Sequence, residues 1–157
     1  SFTADEIWQI LMPESDELVF MDTWYDLPPH DLDARELLAW EHIIHVRAIA
    51  NKKIEELREK GLVGSSLQAE IDIYASGEIY QSLETLHEDL KFSMITSRAK
   101  LHERQGDLHI DVFASEHKKC DRCWHYRKEV GSHHEHPTIC NRCISNLFEK
   151  GELRSHA

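Results

Sequence analysis

Four cysteines near the C-terminus form two matched pairs. Two residues separate the members of each pair, and sixteen residues separate the pairs. A two-residue spacing lets one tight turn direct both sulfurs to the same point, and two such turns supply the four thiolates that a tetrahedral zinc ion prefers. The spacing therefore predicts one structural zinc ion. Its predicted ligands are Cys120, Cys123, Cys140 and Cys143.

Metal binding would also explain how so short a C-terminal module folds. A module of about forty residues buries too little apolar surface to remain folded alone, and metal binding supplies the missing free energy. Two disulfides are one alternative, disfavoured because the sequence shows no secretory signal and the cytosol keeps thiols reduced. A thiol–disulfide redox motif is another, but it requires a thioredoxin-like fold. A catalytic zinc is disfavoured because four cysteines leave no open coordination position.

Histidines offer two weaker metal hypotheses. The run His133-His134-Glu135-His136 could supply a substitute ligand, but Pro137 and the polar composition favour an exposed loop. His42 and His45 can share one face of a helix, but they lack the HExxH pattern of a helical zinc site. We therefore expect no second metal site.

Charge is distributed unevenly along the chain, whose formal net charge is −11. Residues 1–116 contain 10 Lys and Arg against 24 Asp and Glu, whereas residues 117–157 contain 8 against 5. The C-terminal part is therefore the better candidate for contact with phosphate. Alternatively, its cations stabilise the thiolate site and its aromatic residues form a small core. The residues concerned are Lys118, Lys119, Arg122, Arg127, Lys128, Arg142, Lys150 and Arg154, with Trp124 and Tyr126 among them.

Hydrophobic periodicity predicts the helices that precede the cysteines. Residues 2–11 have helical spacing, and Pro13 is expected to end that helix. A long helix is predicted from an N-cap at Asp31 to about Lys60, with Gly61 at its C-terminal end. Its apolar residues recur at steps of three and four, so that one face packs against other elements.

The middle of the chain changes period repeatedly. Residues 67–73 alternate and predict a strand, and residues 79–90 return to helical spacing. The short apolar run 92–96 is most simply a strand, and residues 108–112 alternate again. Together these predict a small β-α-β-β unit, in which strands joined across the helix can pair in parallel.

The predicted fold class is therefore α+β, combining a helical segment, a small β-α-β-β subdomain and a C-terminal four-cysteine zinc knuckle. The predicted domains are residues 1–62 for the helical segment, 63–116 for the β-α-β-β subdomain and 117–157 for the zinc module.

Three stretches carry a resemblance to a known family. Residues 1–8, with Val19-Phe20 and Trp24, are similar to the end of a helical anticodon-binding domain. The second stretch, from Val46-Arg47 into Gly64-Ser65-Ser66-Leu67-Gln68-Ala69, is similar to a helix-to-strand junction. The third, residues 119–125 with 139–143, is similar to a terminal zinc-binding module. In this order they resemble the C-terminal region of bacterial-type isoleucyl-tRNA synthetases.

The resemblance implies binding of isoleucine-specific tRNA near the anticodon arm, in support of ATP-dependent isoleucylation by a longer enzyme. Lys118 and Lys119 are expected to serve the metal site. The residues expected to face tRNA are Arg122, Trp124, Arg127, Lys128 and Arg142.

The family's HIGH and KMSKS signatures have no counterpart in this sequence, and no glycine-rich phosphate loop replaces them. The chain, which opens without Met, is therefore expected to be a non-catalytic fragment, with ATP and Mg²⁺ used elsewhere in the longer enzyme. We expect a cytoplasmic monomer that contacts no membrane and whose partners are tRNA and the rest of the synthetase. The alternatives are a structural docking module within the synthetase and a DNA-binding zinc finger as in base-excision glycosylases.

Overall fold

A computed structural model of the chain describes residues 2–152. The last part of the predicted zinc module, including Arg154, lies outside this range. The described residues divide into two compact units, with the boundary between Asp31 and Leu32. None of the helices in the described range combines the length and apolar character needed to cross a bilayer.

The N-terminal unit contains helix α1 (Phe2–Leu11) and a short 3₁₀ helix (Val19–Met21). α1 ends just before Pro13, as the sequence predicts. The amide of Val19 donates to Asp5 Oδ1 at 3.0 Å, which ties the two helices together. No side chain of α1 is fully buried. The unit therefore presents apolar residues such as Phe2, Trp24 and Leu27 on its surface.

Helix α2 (Ala34–Glu59) begins two residues later than predicted, because its N-cap is Asp33 and not Asp31. Asp33 Oδ1 accepts from the amides of Arg35 and Glu36 at 2.8 and 2.9 Å, while Glu36 Oε2 accepts from the Asp33 amide at 2.8 Å. This reciprocal capping box needs an acidic residue three positions after the cap, which Asp33 has and Asp31 lacks.

The C-terminal end of α2 matches the prediction. Gly61 has a φ of +69° and follows the last helical turn. Its amide donates to the carbonyl of Arg58 at 2.9 Å, and the amide of Leu62 donates to Leu57 at 3.0 Å. These two bonds form the Schellman arrangement, which favours glycine because the position is left-handed.

A three-stranded mixed sheet follows, with strand order β2-β1-β3. Its strands are β1 (Ala69–Ala75), β2 (Arg98–Glu103) and β3 (His109–Ala114). β1 pairs in parallel with β2 and antiparallel with β3. β1 starts at residue 69 and not 67, because Ser66–Gln68 form a 3₁₀ turn. Its parallel partner β2, residues 98–103, lies outside every strand that the sequence predicted.

The connection between β1 and β2 differs from the prediction. It contains α3 (Gly77–Glu84), a 3₁₀ turn (His87–Asp89) and α4 (Leu90–Met94). The predicted strand at 92–96 is wrong. Leu86, Leu90 and Met94 recur every four residues and all enter the core, so the helical period continues to Met94. His87, whose φ is +42°, interrupts the helix between α3 and α4, and the backbone leaves the helical conformation at Ile95, whose φ is +55°.

One core joins α2 to the sheet and to the β1–β2 connection. Alternate residues of β1 point inward, so that its strand is buried on one face. Because α2 packs into this core, the predicted boundary at residue 62 falls inside one compact unit. The fully buried members are Ile43, Val46 and Ala50 of α2, Ile71, Ile73 and Ala75 of β1, Leu83, Leu86, Leu90 and Met94 of the connection, and Ile110 of β3.

The cysteines follow this core in sequence. A two-stranded antiparallel hairpin is formed by β4 (Lys118–Lys119) and β5 (Tyr126–Arg127). Helix α5 (Asn141–Phe148) ends the described secondary structure.

Candidate metal centre

The first cysteine pair lies in the turn that joins β4 to β5. The amide of Cys120 donates to the carbonyl of His125 at 2.9 Å, and the amide of Trp124 donates to Cys120 at 2.9 Å. Trp124 has a φ of +66°, a conformation in which a bulky side chain is uncommon. This tight turn brings Cys120 and Cys123 to the same side of the hairpin.

The second pair lies at the start of α5. Cys140 is the N-cap residue and Cys143 stands in the first turn, so the helical geometry brings both sulfurs near the helix N-terminus. The amide of Asp121 donates to the carbonyl of Thr138 at 3.1 Å, which links the two turns directly.

The four Sγ atoms all lie within 4.8 Å of one another. Cys120 and Cys143, one from each pair, have their sulfurs 3.7 Å apart, and so do Cys123 and Cys140. A tetrahedral zinc ion with Zn–S bonds of about 2.3 Å places its sulfurs about 3.8 Å apart. A disulfide requires about 2.05 Å. The arrangement therefore fits one structural zinc ion and not two disulfides.

The electrostatic environment of the sulfurs also favours a cation. Burial raises the pKa of the Cys123 and Cys140 thiols. Burial opposes ionisation of Cys120 as well, but backbone amides of the two turns outweigh it and lower the pKa of Cys120 to about 6. Without a metal, the protein therefore favours the thiolate of Cys120 and opposes ionisation of Cys123 and Cys140. A divalent cation at the centre removes this conflict, because it stabilises all four thiolates.

Two donors contact the sulfurs from outside the tetrahedron. The amide of Cys140 approaches Cys120 Sγ at 3.3 Å, and Arg122 Nη1 donates to Cys143 Sγ at 3.6 Å. Within residues 2–152, neither Lys118 nor Lys119 makes a hydrogen bond to a cysteine sulfur. The cation that serves the sulfurs directly is Arg122, which the sequence assigned to tRNA.

The histidines take other roles. His136 stacks on Phe148 with ring centroids 4.1 Å apart, and His133 stacks on His136 at 5.3 Å. His42 Nδ1 lies 2.9 Å from Ser82 Oγ, a hydrogen bond between α2 and α3. Among the described residues, the four cysteines form the one group of at least three potential metal ligands whose donor atoms lie close enough together to hold an ion.

The zinc module is fixed to the β1–β2 connection by contacts that sequence reasoning missed. The amide of Tyr126 donates to Ser97 Oγ at 2.6 Å. The ring of His125 meets Phe92 edge-on at 5.6 Å, and the guanidinium of Arg142 lies 4.9 Å above the Phe92 ring. Burial, reinforced by Arg127, lowers the pKa of His125 to about 4, so this packed ring is neutral near pH 7. No sequence pattern marks Phe92 or Ser97 for this contact.

The residues predicted to face tRNA separate into two groups. Trp124 is 58 % exposed, with Lys119 Nζ 4.9 Å from its ring centroid. Arg127 and Lys128 form no ion pair with any described residue. By contrast, Arg122 is directed to Cys143, and Arg142 pairs with Glu152 at 2.6 Å besides stacking on Phe92.

Comparison with known proteins defines the class of this site first. Residues 118–146 match the family described as the zinc finger found in FPG and IleRS. This segment begins at β4, contains all four cysteines and ends within α5. The predicted structural zinc site is thus confirmed as one of this class, with the cysteine geometry described above.

The comparison then extends to the whole chain. The chain is 48 % identical over 159 residues to the isoleucine–tRNA ligase of Burkholderia vietnamiensis. It is also 48 % identical over 160 residues to isoleucine–tRNA ligase 1 of Burkholderia mallei. Its identity to the isoleucine–tRNA ligase of Bordetella petrii is 45 % over 166 residues. Each match covers 100 % of this chain and 17 % of the relative.

The chain therefore spans about a sixth of the length of the curated relatives it matches. Along its whole length it is a homologue of the C-terminal part of bacterial isoleucine–tRNA ligases, and the resemblance predicted from the sequence is confirmed.

The cysteine geometry yields a direct prediction. Cys140→Ser should abolish stoichiometric zinc binding, because it removes one of four sulfurs and replaces a soft thiolate with a hydroxyl. Loss of the metal should also open residues 118–146 to proteolysis, since the buried core cluster of this module consists of three cysteines and Val130.

His133→Ala and His136→Ala serve as matched controls within the same module. Both variants should retain one zinc per chain by elemental analysis. A Cys140→Ser protein that keeps its zinc, or a histidine variant that loses it, would show that the ligand set is different.

Proposed function

We propose that this chain is the non-catalytic C-terminal part of an isoleucine–tRNA ligase and that it binds tRNA near the anticodon arm. The observation that carries the proposal is the 48 % identity across the entire chain, because the relatives so matched are ligases that act on tRNA by name. The zinc finger supports it, since Cys120, Cys123, Cys140 and Cys143 would fix a rigid hairpin that carries exposed cations and an aromatic ring.

The proposed tRNA contacts are those that the sequence indicated, now with distinct roles. Trp124 supports base stacking because its ring is exposed and Lys119 lies over it. The cysteine turn holds the backbone of Trp124 in a left-handed conformation, which keeps the ring outside the zinc module's core. Arg127 and Lys128 have no internal partner among the described residues and are free to contact phosphate. Arg122 would hold the zinc site through Cys143, and Arg142 would hold the zinc module against Phe92. Both would contact tRNA only through the part of the guanidinium that these interactions leave exposed.

The zinc module would perform no chemistry. Four sulfurs fill a tetrahedral coordination sphere, so no position remains for water or substrate. The module would act through binding, and isoleucylation with ATP and Mg²⁺ would take place in the rest of the ligase. This role belongs to the cytoplasm, where translation occurs, and we propose that the ligase acts there as a monomer.

A second surface supports the proposal that the rest of a ligase is a partner. The N-terminal half of α2 is apolar on two neighbouring faces, of which one enters the core. The other exposes Leu37, Trp40 and Ile44, which lie three and four residues apart on one side of the helix. An exposed apolar stripe of this kind marks a contact surface. In a ligase as long as these relatives, the other five-sixths of the polypeptide would cover this stripe.

The two alternative functions are less well supported. A DNA-binding finger shares the zinc-finger family, but the whole-chain matches reported above are ligases. A purely structural docking module would explain Arg142, Phe92 and Ser97, which fix the module internally. In that alternative the exposed ring of Trp124 would lie in an interface with the rest of the ligase.

Trp124→Ala tests the proposed tRNA contact. In a ligase that carries this sequence as its C-terminal part, it should weaken tRNA binding by about 1–3 kcal/mol, the typical contribution of one base–aromatic stack. Filter binding or fluorescence titration would measure the change, with zinc content verified. Phe113→Ala is a matched control, because that ring is also exposed, at 38 %, but lies on β3 outside the zinc module. Equal affinities for wild type and Trp124→Ala would contradict the contact.

The proposed contact with the rest of the ligase predicts a change in labelling. Trp40 should react with hydroxyl radicals in the isolated chain and be protected in the complete ligase, whereas Trp124 should react in both when tRNA is absent. Mass spectrometry after brief radical exposure would quantify both rings in the same sample. Equal labelling of Trp40 in the two proteins would refute the proposed docking surface.

A further inference from the structure

Two cations lie directly opposite each other in the smallest sheet of the molecule. The β4–β5 hairpin pairs Lys118 with Arg127 and Lys119 with Tyr126. Residues that are paired across antiparallel strands direct their side chains to the same face of the hairpin. Lys118 and Arg127 therefore share one face, and Lys119 and Tyr126 share the other.

This placement is unfavourable for the isolated fold, because like charges directly opposite each other on a sheet repel. The repulsion is not relieved within the described chain, where neither Lys118 nor Arg127 forms an ion pair. These two side chains have no acidic partner among the residues that the structure describes, although residues 1–116, which precede the hairpin, contain 24 Asp and Glu. Two uncompensated cations on so acidic a protein indicate a partner that supplies negative charge.

The surroundings hold the two side chains close to the zinc module. Gly131 has a φ of +96°, and a Cβ at this position would lie 3.4 Å from Lys118 Nζ. Glycine thus leaves room for the lysine to extend across the loop that follows β5. Lys91 of α4, which pairs with Glu88 at 3.7 Å, is also close enough to Arg127 for repulsion between the two cations, after burial, to lower the pKa of Lys91.

The opposite face of the hairpin has a different chemistry. There Lys119 lies over the ring of Trp124, which is suited to an unpaired base. Phosphate and base recognition would therefore be divided between the two faces. This division matches the structure of a nucleic-acid strand, in which phosphates and bases lie on separate sides of the sugar.

We propose that Lys118 and Arg127 together form a contact site for the tRNA phosphate backbone, separate from the Trp124 surface. The inference rests on the proposed function and adds Lys118, which the sequence assigned to the metal site. Arg127 offers a planar fork that can bind one phosphate through two N–H donors, while Lys118 acts as a point charge. Binding of phosphate removes the repulsion between the two cations, so the site is organised for an anion.

The salt dependence of tRNA binding tests this inference. The variant Lys118→Gln/Arg127→Gln in a ligase carrying this C-terminal sequence should reduce the slope of log K against log salt by about 0.7–0.9 for each lost phosphate contact. The control Lys60→Gln/Lys100→Gln removes the same charge from exposed positions in the acidic body, and should leave the slope unchanged. Elemental analysis verifies that each variant retains zinc.

The outcomes separate the inference from the function on which it rests. If the slope of the hairpin variant equals that of the control while Trp124→Ala still weakens binding, the phosphate site is refuted and tRNA binding stands. If removal of residues 117–157 leaves affinity and slope unchanged, both are refuted. Should the double variant lose zinc, the single variants Lys118→Gln and Arg127→Gln replace it. Each removes one charge, so a slope reduced by about 0.7–0.9 supports the site and a wild-type slope in both overturns it.

Discussion

The C-terminal part of this protein depends on the convergence of four sulfurs from two separate turns. The sulfurs of Cys120, Cys140 and Cys143 belong to buried residues. The protein lowers the pKa of Cys120, while burial raises the pKa of Cys123 and Cys140. Four thiolates at this spacing repel one another unless a cation occupies their centre. The aliphatic core of this module is small: Val130 is buried within the cysteine cluster, Ile139 packs against it, and Ile144 of α5 is also buried. Metal binding therefore compensates for a small hydrophobic core.

The metal centre in turn positions surfaces that lie outside it. The first turn forces Trp124 into a left-handed conformation and exposes its ring, and the hairpin register places Lys118 opposite Arg127. Phe92, Ser97 and Arg142 fix the module against the β1–β2 connection. A module fixed to its support in this way can present cations and a ring at constant spacing, which would lower the entropy lost in the proposed binding of RNA.

Sequence reasoning succeeded where the signal is local. The cysteine spacing, the C-terminal end of α2 at Gly61 and the alternating pattern of β1 each depend on a few adjacent residues. It failed at 92–96, because a five-residue apolar run has no period that separates a strand from the last turns of a helix. It also missed Ser97 as an anchor for Tyr126, since 29 residues separate them and only the folded chain brings them together. The opposition of Lys118 and Arg127 depends on strand register, which composition does not reveal.

The account is tested most directly by X-ray absorption at the zinc edge of the purified, zinc-loaded protein. Four sulfur neighbours at about 2.3 Å, with no nitrogen or oxygen in the first coordination shell, are the predicted result. A spectrum that requires one or more histidine nitrogens, or water, as a ligand would contradict the four-cysteine centre on which the rest of the structure depends.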